Sequence, residues 1–164
     1  NNLRVIKKFA EEKDLKTKLV GVDINEQCIR YARELGANEG IEFINSDYKA
    51  VSFPFTPDII FCSLFCHHFT DEDVKEIFLW MKENSRLGFF INDLHRHPLA
   101  YYSIKWLTKI FSKSYLVKND APLSVLRGFR RKELISLSNA ANLKTVNLEW
   151  KWAFRWLLIY AHGR

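Results

Sequence analysis

Short apolar runs alternate with helix-period segments along this chain, and that alternation narrows the possible folds more than any other feature. Residues 18–24, 41–45, 58–65 and 87–94 read as strands. The segments between them repeat apolar residues every three to four positions, the mark of helices with one buried face. Strands joined through helices require right-handed crossovers, so the predicted core is a Rossmann-like α/β fold: a mainly parallel sheet with helices on both faces. Residues 144–152 alternate differently, with Val146, Leu148, Trp150 and Trp152 in one phase, and a second run over 154–161 follows. That pair predicts a C-terminal antiparallel hairpin at the sheet edge.

Local signals set the boundaries. Leu3, Ile6 and Phe9 mark a helix that ends near Asp14, while Asn25 suits the cap of a helix that Gly36 terminates. Thr70 and Asp73 have capping-box spacing ahead of Val74, Ile77, Phe78 and Met81. Residues 98–113 form an amphipathic pattern, with Tyr102, Trp106, Ile110 and Phe111 against Lys105, Lys109 and Lys113. Residues 128–141 carry a further helix. No repeat or linker interrupts the sequence, which reads as one domain.

At 164 residues, 48% hydrophobic and 15% aromatic, the chain can bury a core, which excludes a disordered protein. Its apolar runs are too short to span a bilayer. Cys28, Cys62 and Cys66 lack CxxC spacing and suit a reducing cytoplasm, the expected location. The net charge of +6 gathers at Lys105, Lys109, Lys113, Lys118, Arg127, Arg130, Arg131 and Lys132, a solvated face or one attracted to anions.

Asp23 and Asp47 end two successive predicted strands. At the carboxyl ends of adjacent parallel strands, such carboxylates can accept hydrogen bonds from a ribose diol and an adenine amino group. Each also fits a local role, Asp23 as a helix cap and Asp47 in a turn.

Taken in order, VGVDIN, FINSDY, PDIIFCSLFCHHF with TDEDV behind it, GFFINDL and the terminal strand pair resemble the class I methyltransferases that use S-adenosylmethionine. The resemblance covers most of the chain. It implies that Asp23 holds the ribose hydroxyls with Ile24 beside the adenine, and that Asp47 accepts from the adenine amino group with Tyr48 next to the ring. Ser63, Leu64, His67 and His68 would line the methyl-donor end. The family's first strand and glycine-rich loop belong immediately before Leu3, yet Asn1 already lies in what reads as the following helix. The chain is therefore expected to be part of a longer one. Dinucleotide-binding dehydrogenases share the first acidic position and are the nearest competing fold family.

Methyl transfer from a sulfonium depends mainly on proximity and alignment. Where the acceptor is a phenol or an acidic carbon, a neutral histidine can take its proton. His68 and His95 lead the candidates, followed by His67 and His97, and each is equally a hydrogen-bonded loop residue. Cys62, Cys66, His67 and His68 are too close in sequence to close a tetrahedron, so no metal is expected. Residues 95–129 read as a substrate-capping insertion. Tyr101, Tyr102, Trp106 and Arg127 are its candidate contacts with a small aromatic or lipophilic acceptor such as a polyketide, phenol or quinone-like ring. Tyr102 and Trp106 equally suit packing on the sheet. The alternatives are a non-catalytic scaffold and a module for nucleic acid or an anionic membrane surface. Aromatics at helical spacing argue against the nucleic acid.

Overall fold

The computed structural model describes residues 2–163. The chain, read from its sequence as one domain, divides after Pro54 into two compact units.

In the first unit, helix α1 (Asn2–Glu12) leads to strand β1 (Leu19–Asp23), helix α2 (Glu26–Glu34) and strand β2 (Ile41–Asn45). Asn25 caps α2 by accepting from the amides of Gln27 and Cys28 at 2.9 and 3.2 Å, as its position before an apolar-periodic segment predicts. The two strands pair in parallel from Leu19↔Ile41 to Asp23↔Asn45. They therefore finish side by side. The core here is small: Ala10, Ile29 and Ile41 are its buried apolar residues.

The second unit contains β3 (Ile59–Ser63), α3 (Asp71–Asn84), β4 (Gly88–Leu94), α4 (Pro98–Phe111), α5 (Tyr115–Arg127), α6 (Arg131–Ala140), β5 (Val146–Lys151) and β6 (Arg155–Ala161). Its sheet has the order β3-β4-β6-β5. β3 and β4 are parallel, whereas β6 is antiparallel to both β4 and β5. The C-terminal hairpin thus forms as the alternating pattern predicts. The Thr70–Asp73 capping box also forms, with both reciprocal bonds present. Val74, Ile77, Phe78 and Met81 on α3 are buried together with Phe89 and Ile91 of β4, Leu134 of α6 and Leu158 of β6.

Two close approaches fix this framework. Gly88 has φ of +143°, and a Cβ there would lie 2.1 Å from the Tyr160 carbonyl oxygen, so only glycine starts β4 at this point. Gly128 also lies close against Leu94, where a Cβ would come within 2.7 Å of the Leu94 backbone oxygen. The Phe129 amide donates to the Leu94 carbonyl at 2.8 Å, and the Arg96 amide donates to the Phe129 carbonyl at 3.0 Å. Residues 95 and 129 consequently form an isolated parallel bridge. It joins the two ends of the helical excursion α4–α5.

Two features depart from the sequence reading. Residues 58–65 read as a strand covered on both faces, but no residue of β3 is fully buried and Ile59 is 55% exposed. Residues 115–127 form α5 although the sequence reading leaves them without an element. Pro122 sits inside that helix, where proline ordinarily signals a break.

Candidate functional site

The carboxylate pair occupies the strand ends of the first unit. Asp23 Oδ1 accepts from the Asn25 amide at 2.8 Å, and Asp47 Oδ1 accepts from the Lys49 amide at 2.9 Å. Each is an Asx turn. The turn suggested by sequence for Asp47 is thus real, whereas Asp23, read as a possible helix cap, shapes a turn instead because Asn25 occupies the cap position of α2. These turns do not exhaust the groups, because among the described residues the second oxygen of each carboxylate accepts no hydrogen bond. Asn45 ties the two ends together: its Nδ2 donates to the carbonyls of Asp23 and Ile24 at 3.0 and 2.9 Å. The Ser46 amide adds a bond to the Asp23 carbonyl at 3.1 Å. Ile24 is 72% exposed, and Tyr48, half-buried, lies under the Lys49 ammonium. Two solvated carboxylates, an exposed aliphatic side chain and an aromatic ring suit the polar edges and flat face of a nucleoside.

In the second unit a single buried carboxylate organises the turn that follows β3. Asp93 is 1% exposed. Its Oδ2 accepts from the amides of Phe65, Cys66 and His67 at 3.2, 2.8 and 3.4 Å. Its Oδ1 accepts from the Leu94 amide at 2.7 Å and lies 2.7 Å from His67 Nδ1. Five donors surround one carboxylate, which is what burial of such a group demands. At the head of the turn, Leu64 has φ of +55°, a left-handed conformation costing a non-glycine residue about 1–2 kcal/mol. The Leu64 amide donates to the Asn92 carbonyl at 2.9 Å, and Ser63 Oγ lies 3.5 Å from Asn92 Nδ2.

The sequence reading did not single out Asp93. A signal was nevertheless present: Phe89, Ile91 and Asp93 share one phase of β4, and all three are buried. An aspartate in the core phase of a strand needs partners, and the turn amides provide them.

This arrangement separates the histidines into different roles. His67 is buried and held by Asp93. The exposed His68 ring lies tilted against it at a centroid distance of 4.0 Å. Burial first, and then the neighbouring His67, pulls the His68 pKa below the ordinary histidine range; Arg127 adds to the effect and Asp93 opposes it. Helix α5 packs against the 66–68 turn, which accounts for the reach of Arg127. His95 follows β4, adjacent and parallel to β3, so it shares the carboxyl end of the sheet with the His67–His68 turn. Its ring lies 4.8 Å from Trp156 and 5.2 Å from His97, and its Nδ1 is buried without a partner among the described residues. Desolvation and then His97 lower its pKa. His97 caps α4, accepting from the Leu99 amide at 3.2 Å, and stacks on Phe154. It has a structural task.

The remaining predicted residues are distributed less tightly. Tyr101 is half-buried, packs edge-on against Tyr102 at 5.2 Å and lies under Lys105. Tyr102 and Trp106 are 58% and 63% exposed, so neither packs on the sheet. Cys62 and Cys66 place their sulfurs 3.6 Å apart. The Cys62 hydrogen bond, followed by burial, raises the Cys66 pKa well above the ordinary thiol range, and Cys66 stays a thiol.

The methyltransferase-domain family matches residues 4–88, more than half of the chain. No curated protein sequence matches significantly. Among solved structures, the plantazolicin methyltransferase BpumL in complex with SAH superposes with a TM-score of 0.73 at 16% identity, covering 97% of this chain and 71% of its own. Magnesium protoporphyrin IX methyltransferase from Synechocystis PCC 6803, also with bound SAH, gives 0.58 at 11% identity, covering 90% and 65%. A pericyclic reaction enzyme gives 0.62 at 12% identity, covering 96% of this chain and 40% of its own. Likeness at this distance establishes the fold, which hosts more than one chemistry. With the family match, it makes this chain a member of the methyltransferase-domain family, built on the Rossmann-like fold of the class I S-adenosylmethionine-dependent methyltransferases.

Proposed function

We propose that this chain methylates a small aromatic or lipophilic acceptor, of phenol, polyketide or quinone-like character, with S-adenosylmethionine as donor and His68 as the group that takes the acceptor's proton. The observation that carries the reading is Asp93, whose bonds to three turn amides and to His67 hold His68 exposed at the carboxyl end of β3.

When bound, the cofactor supplies a methyl group on an electrophilic sulfonium. Asp23 and Ile24 are assigned to its ribose and adenine, and Asp47 and Tyr48 to the adenine edge and face. Ser63 and Leu64 are assigned to the methyl-donor end by the same resemblance. The free carboxylate oxygens of Asp23 and Asp47 support the nucleoside assignment. On the acceptor side, His68 is kept neutral by its lowered pKa and so has a lone pair available near neutral pH. Loss of the acceptor's proton to that nitrogen leaves an electron pair free to form the new bond to the methyl carbon while the carbon–sulfur bond breaks. His67 and Asp93 act as positioning residues. His95, whose pKa is also lowered, is the second candidate base. The excursion over residues 95–129 is the proposed acceptor cap, with Tyr101 and Tyr102 against a ring and Arg127 opposite an anionic substituent.

Thermal shift with the methyl donor, followed by product analysis with a labelled methyl group over phenol, polyketide and quinone precursors, tests this reading. Donor-dependent stabilisation and label in one of these classes are expected. Label only in peptide or nucleic acid would overturn the acceptor assignment, and full turnover by both His68→Gln and His95→Gln would remove the base.

A further inference from the structure

The corner where α4 meets α5 exposes far more apolar surface than a solvated helical hairpin requires. Trp106, Ile110 and Phe111 at the end of α4 are 63%, 64% and 78% exposed, and Tyr115 and Leu116 at the start of α5 are 80% and 67% exposed. The two helices pack on each other, yet this corner remains uncovered within its own unit. Ser112 and Ser114 fix its shape: Ser112 Oγ accepts from the Ser114 amide at 3.2 Å, and Ser114 caps α5.

Four lysines, Lys105, Lys109, Lys113 and Lys118, are interspersed with these residues along α4 and α5 and the turn between them. None forms an ion pair among the described residues. Lys109 instead lies over the Trp106 ring at 5.9 Å from its centroid. Across residues 98–132 eight basic side chains accompany one acidic residue, Asp120.

We infer that the α4–α5 corner is a docking surface for an anionic phospholipid bilayer, with Trp106, Ile110, Phe111, Tyr115 and Leu116 entering the interface and the lysines facing the headgroups. Aromatic rings and aliphatic side chains at one corner match the boundary between headgroups and acyl chains, where amphipathic elements bury their apolar face. Lysine ammoniums reach back to phosphates along their aliphatic stems. A second copy of the same surface would bring lysines against lysines without carboxylates to offset them. Nucleic acid would neutralise the charge but leave Ile110 and Leu116 unused. The bilayer is the partner that satisfies both halves of the surface. No helix among the described residues is long and apolar enough to cross a membrane, so the contact is interfacial.

The test is flotation of the full chain with vesicles of phosphatidylcholine alone and of phosphatidylcholine with phosphatidylglycerol. Binding is expected with the anionic vesicles, weakening as salt rises. Lys109→Gln and Lys113→Gln should each reduce it about fivefold, the usual effect of one basic residue near a charged leaflet. Trp106→Ser with Phe111→Ser, both at exposed positions, should abolish binding while leaving the circular dichroism unchanged. No preference for anionic vesicles, or full binding by the Trp106/Phe111 variant, would overturn the inference. So would self-association in sedimentation velocity, or salt-sensitive RNA binding, that the same variant loses while lipid binding is absent.

Discussion

Asp23 and Asp93 are the same side chain near the ends of parallel strands, and they do opposite work. Asp23 is exposed, uses one oxygen to shape a turn and leaves the other available. Asp93 is buried and has both oxygens committed to five donors. The exposed carboxylate sits beside a small core and can exchange water for a ligand at little cost. Its buried counterpart has already exchanged water for protein, so its energy goes into holding a turn. Degree of saturation, more than residue type or strand position, distinguishes a carboxylate that can still accept a hydrogen bond from one committed to the scaffold here.

Removing the saturated carboxylate should have the largest effect. Asp93→Ala leaves three turn amides and His67 without their acceptor and is expected to destabilise the chain by about 3 kcal/mol or more, since each buried donor left unsatisfied costs about 1–3 kcal/mol. Urea unfolding measures it, and a loss below about 1 kcal/mol would contradict the scaffold role. Second in size, His68→Gln should lower turnover about 100-fold or more, within the usual range for a general base, while donor affinity changes little. Steady-state kinetics separates the two parameters. On the unsaturated side, Asp23→Asn should weaken donor binding about tenfold, as expected for a lost charged hydrogen bond, without altering the melting temperature in the absence of ligand. Calorimetry that finds full affinity would remove Asp23 from the donor site.

The smallest effect concerns pH. His68 and His95 have folded pKa values below those of the unfolded chain, so the unfolded state binds protons first as the solution is acidified. Their stabilising contribution is complete above about pH 6.5, the ordinary histidine value, and is lost as pH falls through the lowered folded values. His95→Gln should flatten that part of the melting-temperature profile. Turnover should fall over the same acid range if His68 is the base, and a profile unchanged by His68→Gln would count against it.

Much of the framework was readable because its signals are local. The runs ending at Asp23 and Asn45, the Asn25 cap, the Thr70–Asp73 box and the terminal alternation each need only a few adjacent residues. Helix α5 was not readable, since Pro122 breaks the expected pattern and its apolar residues line no single face. Among the candidate site residues of the two units, Asp47, His68 and His95 could be proposed from their place after apolar runs. Asp93 could not be paired with residues 65–67 without the adjacency of β3 and β4, although its phase with Phe89 and Ile91 was visible. The uncovered state of Trp106 also lay beyond periodicity, which marks a helix face without revealing whether anything packs against it.

The bridge between residues 95 and 129 has an architectural consequence. Everything in α4 and α5 leaves the sheet and returns to it through one hydrogen-bonded stem, sealed by the close fit of Gly128 against Leu94. Closing a flexible loop costs only about 0.6 kcal/mol more for each doubling of its length. The length of chain between residues 95 and 129 can therefore vary without moving the two bridged ends, although α5 also packs on β4 and on the 66–68 turn. The stem acts as a socket that fixes where the excursion leaves and rejoins the sheet, and the packing of α5 on the 66–68 turn ties its second helix to the turn that Asp93 holds.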